Sequence, residues 1–140
     1  MLDNIADPGN LGTIIRSAVA FNYETICLSP NSVDIYNSKV IRATEGMLFN
    51  VNIINQDLAE IIQKLRKENY LVLGTDVQNG ELPRAVKEIK HALIIGSEAN
   101  GINPEVLKMC DYKLYLKMNP LCESLNAAVS ASILMYELNT

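Results

Sequence analysis

The sequence predicts an α/β fold, a mostly parallel sheet with helices on both faces. Three observations predict it. Short apolar segments alternate with amphipathic ones along the chain, the pattern of repeated strand–helix units. Two of the apolar segments, "YLVLG" and "HALIIG", lack polar alternation, so both sides of those strands need cover, as in a parallel sheet. Hydrophobic residues make up 49% and charged residues 20% of the chain, an ordinary globular balance that excludes extensive disorder.

Strands are expected at 24–29, 50–54, 70–75, 91–97 and 112–118, each rich in Ile, Leu, Val or Tyr and bounded by Asn, Gly, Asp or Pro. Helices are expected at 10–21, 36–46, 57–68, 104–109 and 124–138. In the third of these Leu58, Ile61, Ile62 and Leu65 recur at helical spacing with charges opposite. Asn103 reads as the cap of the fourth, with Pro104 at its first position. A first strand should precede "DNIADPGN", yet only Met1 and Leu2 stand before it, so the chain reads as clipped at its start.

At 140 residues, one domain spanning 1–140 is the natural expectation. No apolar run is long enough to cross a membrane, and no signal-peptide pattern opens the chain. The three cysteines, Cys27, Cys110 and Cys122, have no CxxC spacing and are read as reduced thiols of an intracellular protein. A single histidine, His91, gives little support to a catalytic triad or a histidine metal site, and no metal is expected. The net charge of −4 lends no global support to nucleic-acid binding, which would have to rest on a local patch or another domain.

Three stretches carry candidate chemistry. "DPGNLGTIIRSA", from Asp7, is a turn followed by a helix that Asn10 can cap. Its apolar stripe is Leu11, Ile14, Ile15, Ala18 and Val19. Arg16 lies off that stripe, with Gly12 and Ala20 one turn away, which reads as clearance for another molecule. A solvated or salt-bridged surface arginine fits the spacing equally well. "IIGSEANGINPE" ends a buried strand in Gly96, Ser97 and Glu98 and turns through Gly101. Ligands of open α/β sheets sit beyond such strand ends, and Glu98 there needs a partner or water. The stretch is not GxGxxG, so no dinucleotide fingerprint is present. "NPLCESLNAAVSASILMYEL" begins a helix that Ser124 can cap, and its alanines and serines predict very close packing, with Ser124 and Asn126 at a strand end. Lys39 and Arg42 form a short basic spot that could meet phosphates or simply face solvent.

Together these stretches resemble the three motifs, in order, of the SpoU (TrmH-like) RNA 2′-O-ribose methyltransferases of the SPOUT superfamily. "LDNIADPGNLGTIIRSAVAFN" resembles motif 1, "LIIGSEANGINPEVLKMCD" motif 2 and "ESLNAAVSASILMYEL" motif 3, with "SKVIRATEGMLFNV" also similar between them. The resemblance covers essentially the whole chain. It implies a SPOUT fold with a C-terminal trefoil knot, a cytoplasmic homodimer, S-adenosylmethionine as cofactor, and rRNA or tRNA as substrate. By motif position it implies catalytic roles for Asn10, Arg16, Glu98, Ser124 and Asn126. It implies cofactor contacts at Thr75, Gly96, Gly101, Leu116, Met118, Ser124, Leu125 and Asn126, largely through the backbone. The family's N-terminal RNA-binding extension is not in the sequence.

The implied chemistry is physically reasonable. A guanidinium keeps its charge, so an electrostatic role, holding a phosphate and the developing alkoxide, costs less than proton abstraction. Much of the remaining catalysis is alignment. Two residues depart from the family pattern: Lys117 and Pro120 stand where Pro and Gly are usual, and Pro120 cannot take a glycine's positive φ. They motivate a second reading, a knotted scaffold or weak RNA binder without catalysis. A third is a different α/β enzyme using a nucleotide or phosphorylated metabolite, against which the missing GxGxxG and P-loop patterns count.

Overall fold

The computed structural model describes residues 1–76, 80–83 and 90–139. The elements run β1 (Leu2–Asp3), α1 (Pro8–Ala20), β2 (Thr25–Leu28), α2 (Ser38–Ala43), a 3₁₀ turn (Met47–Asn50), β3 (Asn52–Asn55), α3 (Leu58–Lys67), β4 (Leu71–Thr75), β5 (His91–Gly96), α4 (Pro104–Lys108), β6 (Tyr112–Leu114) and α5 (Ala127–Asn139). Among the described residues six strands form one sheet in the order β3-β2-β1-β5-β4-β6. Every pairing is parallel.

Both faces are covered, and alternate residues of each strand divide between them. Leu93 and Ile95 of β5, Leu73 of β4, and Ile26 and Leu28 of β2 join the core under α1 and α5. Ile94 and Val72 point the other way, to Ile62 of α3 and the flank of α4. Cys27 meets Leu58 and Ile61 of α3. This two-sided burial is why these strands read as continuous apolar runs. The first strand does exist in the structure. Its two residues lie between β2 and β5, with Leu2 opposite Leu28 and Ile95.

Two helix starts differ from the expectation. Asp7 caps α1, not Asn10: its carboxylate accepts the Asn10 N–H at 2.7 Å. Pro8 explains the shift. It has no N–H to leave unsatisfied and its φ is preset, so it belongs at the first helical position and the cap falls just before it. Asn126 caps α5, not Ser124: its Oδ1 accepts the N–H groups of Ala128 at 3.0 Å and Val129 at 3.2 Å. Ser and Asn cap about equally well, so propensity does not choose between them; the tertiary contacts of Asn126 described below do. Asn103 caps α4 as expected, accepting Glu105 N–H at 2.9 Å.

The last strand is shorter than predicted because its partner runs out. Leu114 lies opposite Thr75, the end of β4. The backbone then bonds elsewhere, Glu81 N–H to Lys113 O at 2.7 Å and Tyr115 N–H to Glu81 O at 2.9 Å. From there the chain returns across the carboxyl ends of the strands to α5, which packs on α1 and β5 near the sheet centre. α2 ends early, at Ala43, where Glu45 (φ +50°) and Gly46 (φ +82°) turn left-handed.

Candidate functional site

The loops after β1 and β5 and the start of α5 meet at the carboxyl end of the sheet. Gly96 and Gly101 make the β5 loop possible. A Cβ on Gly96 would fall closer than 3.0 Å to main-chain atoms of Gly101 and Ile102, and Gly101 has φ +67°. The loop closes through Gly101 N–H to Ser97 O at 2.8 Å and Ser97 N–H to Gly101 O at 3.2 Å. Its far end is tied to β1 by Asp3, a carboxylate only 3% exposed whose Oδ2 accepts Asn103 N–H at 2.6 Å.

This loop holds Glu98 against both other segments. Glu98 Oε1 accepts three hydrogen bonds, from Asn126 Nδ2 at 2.6 Å, Asn10 Nδ2 at 2.9 Å and Ala127 N–H at 3.2 Å. Asn126 Nδ2 also reaches Asn10 Oδ1 at 2.9 Å. The Asn126 amide orientation is fixed because its oxygen is occupied as the helix cap. Asn10 is free for this network because Asp7 takes the capping role at α1. Glu98 also sits at the N-terminus of α5, where the helix dipole favours a negative charge. The structure thus joins three sequence-predicted residues separated by up to 116 positions.

Beside the network lies a cleft of about 840 Å³. Thr75, Gly96, Gly101, Leu116, Met118, Ser124 and Leu125 line it, together with apolar residues such as Ile95, Ile102, Leu107 and Leu134 and the carboxylates Asp76, Glu98 and Glu123. Asn126 is not in the lining; it serves the network instead. Pro120 lines the cleft and Lys117 does not. The expected conflict between Pro120 and a positive φ does not arise, because no non-glycine residue in 115–126 has positive φ.

Arg16 stands apart. It is exposed, and no ion pair or hydrogen bond joins it to any described residue. On helical geometry the six residues from Asn10 turn its side chain about 120° away. The α5-facing side of α1 is marked instead by Ser17, whose hydroxyl meets Ser132 Oγ at 2.7 Å. Gly12 corrects the clearance reading. It is buried, and a Cβ there would meet Ala43 and, at 2.9 Å, Val40 O. Its lack of a side chain therefore admits α2, not a ligand; Ala20, in contrast, is exposed. Lys39 and Arg42 are exposed on that same α2.

His91 is structural, its Nε2 being 2.8 Å from Tyr23 Oη, and burial pushes the Tyr23 phenol up to about 12. No disulfide forms; Cys27 is buried and Cys122 exposed. Burial, chiefly, pushes the Cys110 thiol up to about 11. Among the described residues no cluster of His, Cys, Asp and Glu could hold a metal, and no helix is long and apolar enough to cross a membrane. Sequence reasoning missed Asp3; its one signal is an acidic residue ending an apolar strand just before a turn.

A family model, the SpoU rRNA Methylase family, matches residues 1–136. The chain is 36% identical over 142 residues to the Bacillus subtilis protein named 23S rRNA (guanosine(2553)-2′-O)-methyltransferase RlmP, a match spanning 99% of this chain and 56% of that one. Among solved structures it is similar to the SpoU methyltransferase AviRb from Streptomyces viridochromogenes in complex with the cofactor AdoMet, at 28% identity and a TM-score of 0.90, over 98% of this chain and 57% of that one. It is also similar to an AdoMet-bound rRNA methyltransferase from Sinorhizobium meliloti, at 29% identity and a TM-score of 0.91, over 98% of this chain and 53% of that one. The chain therefore spans little more than half the length of these relatives. Matched almost from end to end by one family model, and folded like a solved SpoU methyltransferase, the chain belongs to the SpoU rRNA methylase family.

Proposed function

We propose that residues 1–140 form one catalytic domain that transfers a methyl group from S-adenosylmethionine to a ribose 2′-hydroxyl of rRNA or tRNA. The observation that carries this reading is the Asn10–Glu98–Asn126 network at the edge of the cleft, built from all three family motifs. The single sheet running through the chain supports the one-domain reading.

The cleft's composition fits the cofactor. Apolar Ile95, Ile102, Leu107, Leu116 and Leu134 suit an adenine ring, and Asp76, Glu98 and Glu123 suit a molecule with ammonium and sulfonium charges. The glycine turn lets main-chain groups come close. When bound, the cofactor supplies an electrophilic methyl group. The chain's own residues then bind and orient. Glu98 holds the β5 loop to the starts of α1 and α5, fixing the cleft wall. Ser124 lines the cleft next to the network. Arg16 holds an RNA phosphate and stabilises the oxyanion that develops at the ribose hydroxyl.

Arg16 leaves α1 on a different side from Asn10, which supports a homodimer in which one protomer's arginine serves a shared site. Val129, Ile133 and Tyr136 support the same reading. They form a stripe on α5, 38–52% exposed, opposite its buried face. The path of the chain supports the trefoil knot: the segment at Glu81 is bonded alongside the end of β6, and the chain leaving β6 then turns back to α5 at the sheet centre. A cytoplasmic location follows from an rRNA or tRNA substrate. The scaffold reading now rests on Pro120 alone, since Lys117 is outside the cleft lining.

The test pairs calorimetry with methyl transfer. S-adenosylmethionine should bind, and Arg16→Ala should cut transfer by about 100-fold or more while leaving cofactor affinity nearly unchanged. Transfer at the wild-type rate would remove Arg16 from the mechanism, and absence of cofactor heat would favour the scaffold.

A further inference from the structure

The stretch from Tyr36 to Asn50 leaves two aromatic rings in solvent. Phe49 is 86% exposed and Tyr36 74%. The rest of the stretch is firmly placed. Val40 and Thr44 are fully buried, Leu48 packs on the main core, and α2 and the 47–50 turn both pack against α1. The rings therefore stand on a fixed platform. Between them α2 carries Lys39 and Arg42, exposed and three residues apart, so on one side of the helix. Neither cation pairs with a carboxylate among the described residues. Glu45 is the only acidic residue from 36 to 50, in a chain whose net charge is −4.

This platform follows the carboxyl end of β2, and the α1 it packs on carries Asn10 of the network in its first turn. Its start, with Tyr36 and Lys39, therefore lies toward the catalytic end of the sheet, and its last turn leads into the amino end of β3, where Asn52 pairs with Thr25. Along the chain the two rings flank a helix about 9 Å long that bears the cations and the 40%-exposed Ile41. Exposed rings beside unpaired cations match a nucleic-acid strand, whose bases offer π faces and whose phosphates need cations.

We infer that Tyr36 and Phe49 stack on unpaired bases of the RNA substrate, and that Lys39 and Arg42 hold phosphates of the same strand. The inference rests on the RNA methyltransferase reading and deepens it: the substrate segment is single-stranded. Bases within a duplex would not reach the rings.

The test measures fluorescence anisotropy of a labelled 12-nucleotide single-stranded RNA of mixed sequence and of the matching duplex, using the 140-residue chain. The wild type should bind the single strand more tightly. Phe49→Leu keeps an apolar side chain but loses the ring, and should weaken single-strand binding about tenfold. Phe49→Trp should restore it, and Tyr36→Leu should behave like Phe49→Leu. The double variant K39Q/R42Q should lower the slope of log affinity against log salt by about 1.4, roughly 0.7 per phosphate contact. Equal affinity of Phe49→Leu and wild type overturns the inference. So does tighter binding of the duplex. A shift of Phe49→Leu from dimer to monomer in sedimentation also overturns it, because Phe49 would then belong to a protein interface. Calorimetry with S-adenosylhomocysteine, the product that S-adenosylmethionine leaves after methyl transfer, on the same samples separates the two levels: cofactor-product binding with no effect of the ring variants on RNA binding rejects the stacking surface alone, and absence of that binding in the wild type rejects the underlying reading.

Discussion

Gly96→Ala tests whether the β5 loop is the precision part of this site. The new methyl group would lie within 3.0 Å of Gly101 C, Ile102 N and Gly101 O, all main-chain atoms. None of these can rotate away as a side-chain end can. The 97–102 segment must retreat by roughly 1 Å to reach ordinary contact distance. Retreat strains or breaks the two Ser97–Gly101 backbone bonds, each worth about 1 kcal/mol. Overpacking of this kind costs about 1–3 kcal/mol more. A loss of roughly 3–5 kcal/mol is expected if both bonds go, lowering Tm by roughly 10–17 °C for a chain of this size. The functional effect should be larger than the stability effect suggests. Glu98 lies two residues from Gly96, and a displacement of about 1 Å at a catalytic site can cost about 100-fold. Urea unfolding gives the first number; calorimetry with S-adenosylhomocysteine and single-turnover methyl transfer give the second. A variant with wild-type midpoint and wild-type cofactor affinity would refute the claim that Gly96 is required by close backbone approach.

Other predictions follow from the same geometry. Glu98→Gln can place its amide oxygen where Oε1 accepts three bonds, so it should keep most of the stability, while Glu98→Ala should lose about 1–2 kcal/mol in urea unfolding; equal stability of Glu98→Ala and wild type would show that the network holds nothing together. Gly12→Leu should push α2 off α1, where a single Cβ already meets Val40 O at 2.9 Å, at a cost of about 1–3 kcal/mol; a variant as stable as the wild type would restore the idea that Gly12 is clearance. With an alkylating probe at pH 8 the exposed Cys122 should react before Cys27 and Cys110, and modification of Cys110 first would contradict its burial. The Cys110 and Tyr23 groups both titrate higher in the fold than their ordinary values of 9 and 10. The stability they contribute is therefore full below about pH 9 and falls as pH rises toward 11 and 12; denaturation midpoints that rise over that range would contradict it.

Much of the architecture was legible because burial on two faces leaves a direct trace in composition. "HALIIG" and "YLVLG" are apolar throughout since Ile94 and Val72 face α3 and α4 while Leu93, Ile95 and Leu73 face α1 and α5. The amphipathic "QDLAEIIQKLRKEN" became α3 almost to the residue. Helix starts were less legible. Asn10 and Ser124 are sound caps locally, yet Pro8 moved one cap to Asp7 and the contacts of Asn126 with Glu98 decided the other. Strand length failed at 115–118 because pairing depends on where the neighbouring strand stops, which the 112–118 run does not encode.

The sequence by itself determined the alternation of strands and helices, the family motifs and the residues worth watching, because periodicity and residue type are local properties. Only the tertiary structure decided what those residues do to one another. It brought Asn10, Glu98 and Asn126 within hydrogen-bond distance, left Arg16 outside that network, and turned Gly12 from an opening into a helix contact. Such contacts join positions up to 116 residues apart, and they are set by sheet order and helix packing, which no short stretch of chain contains.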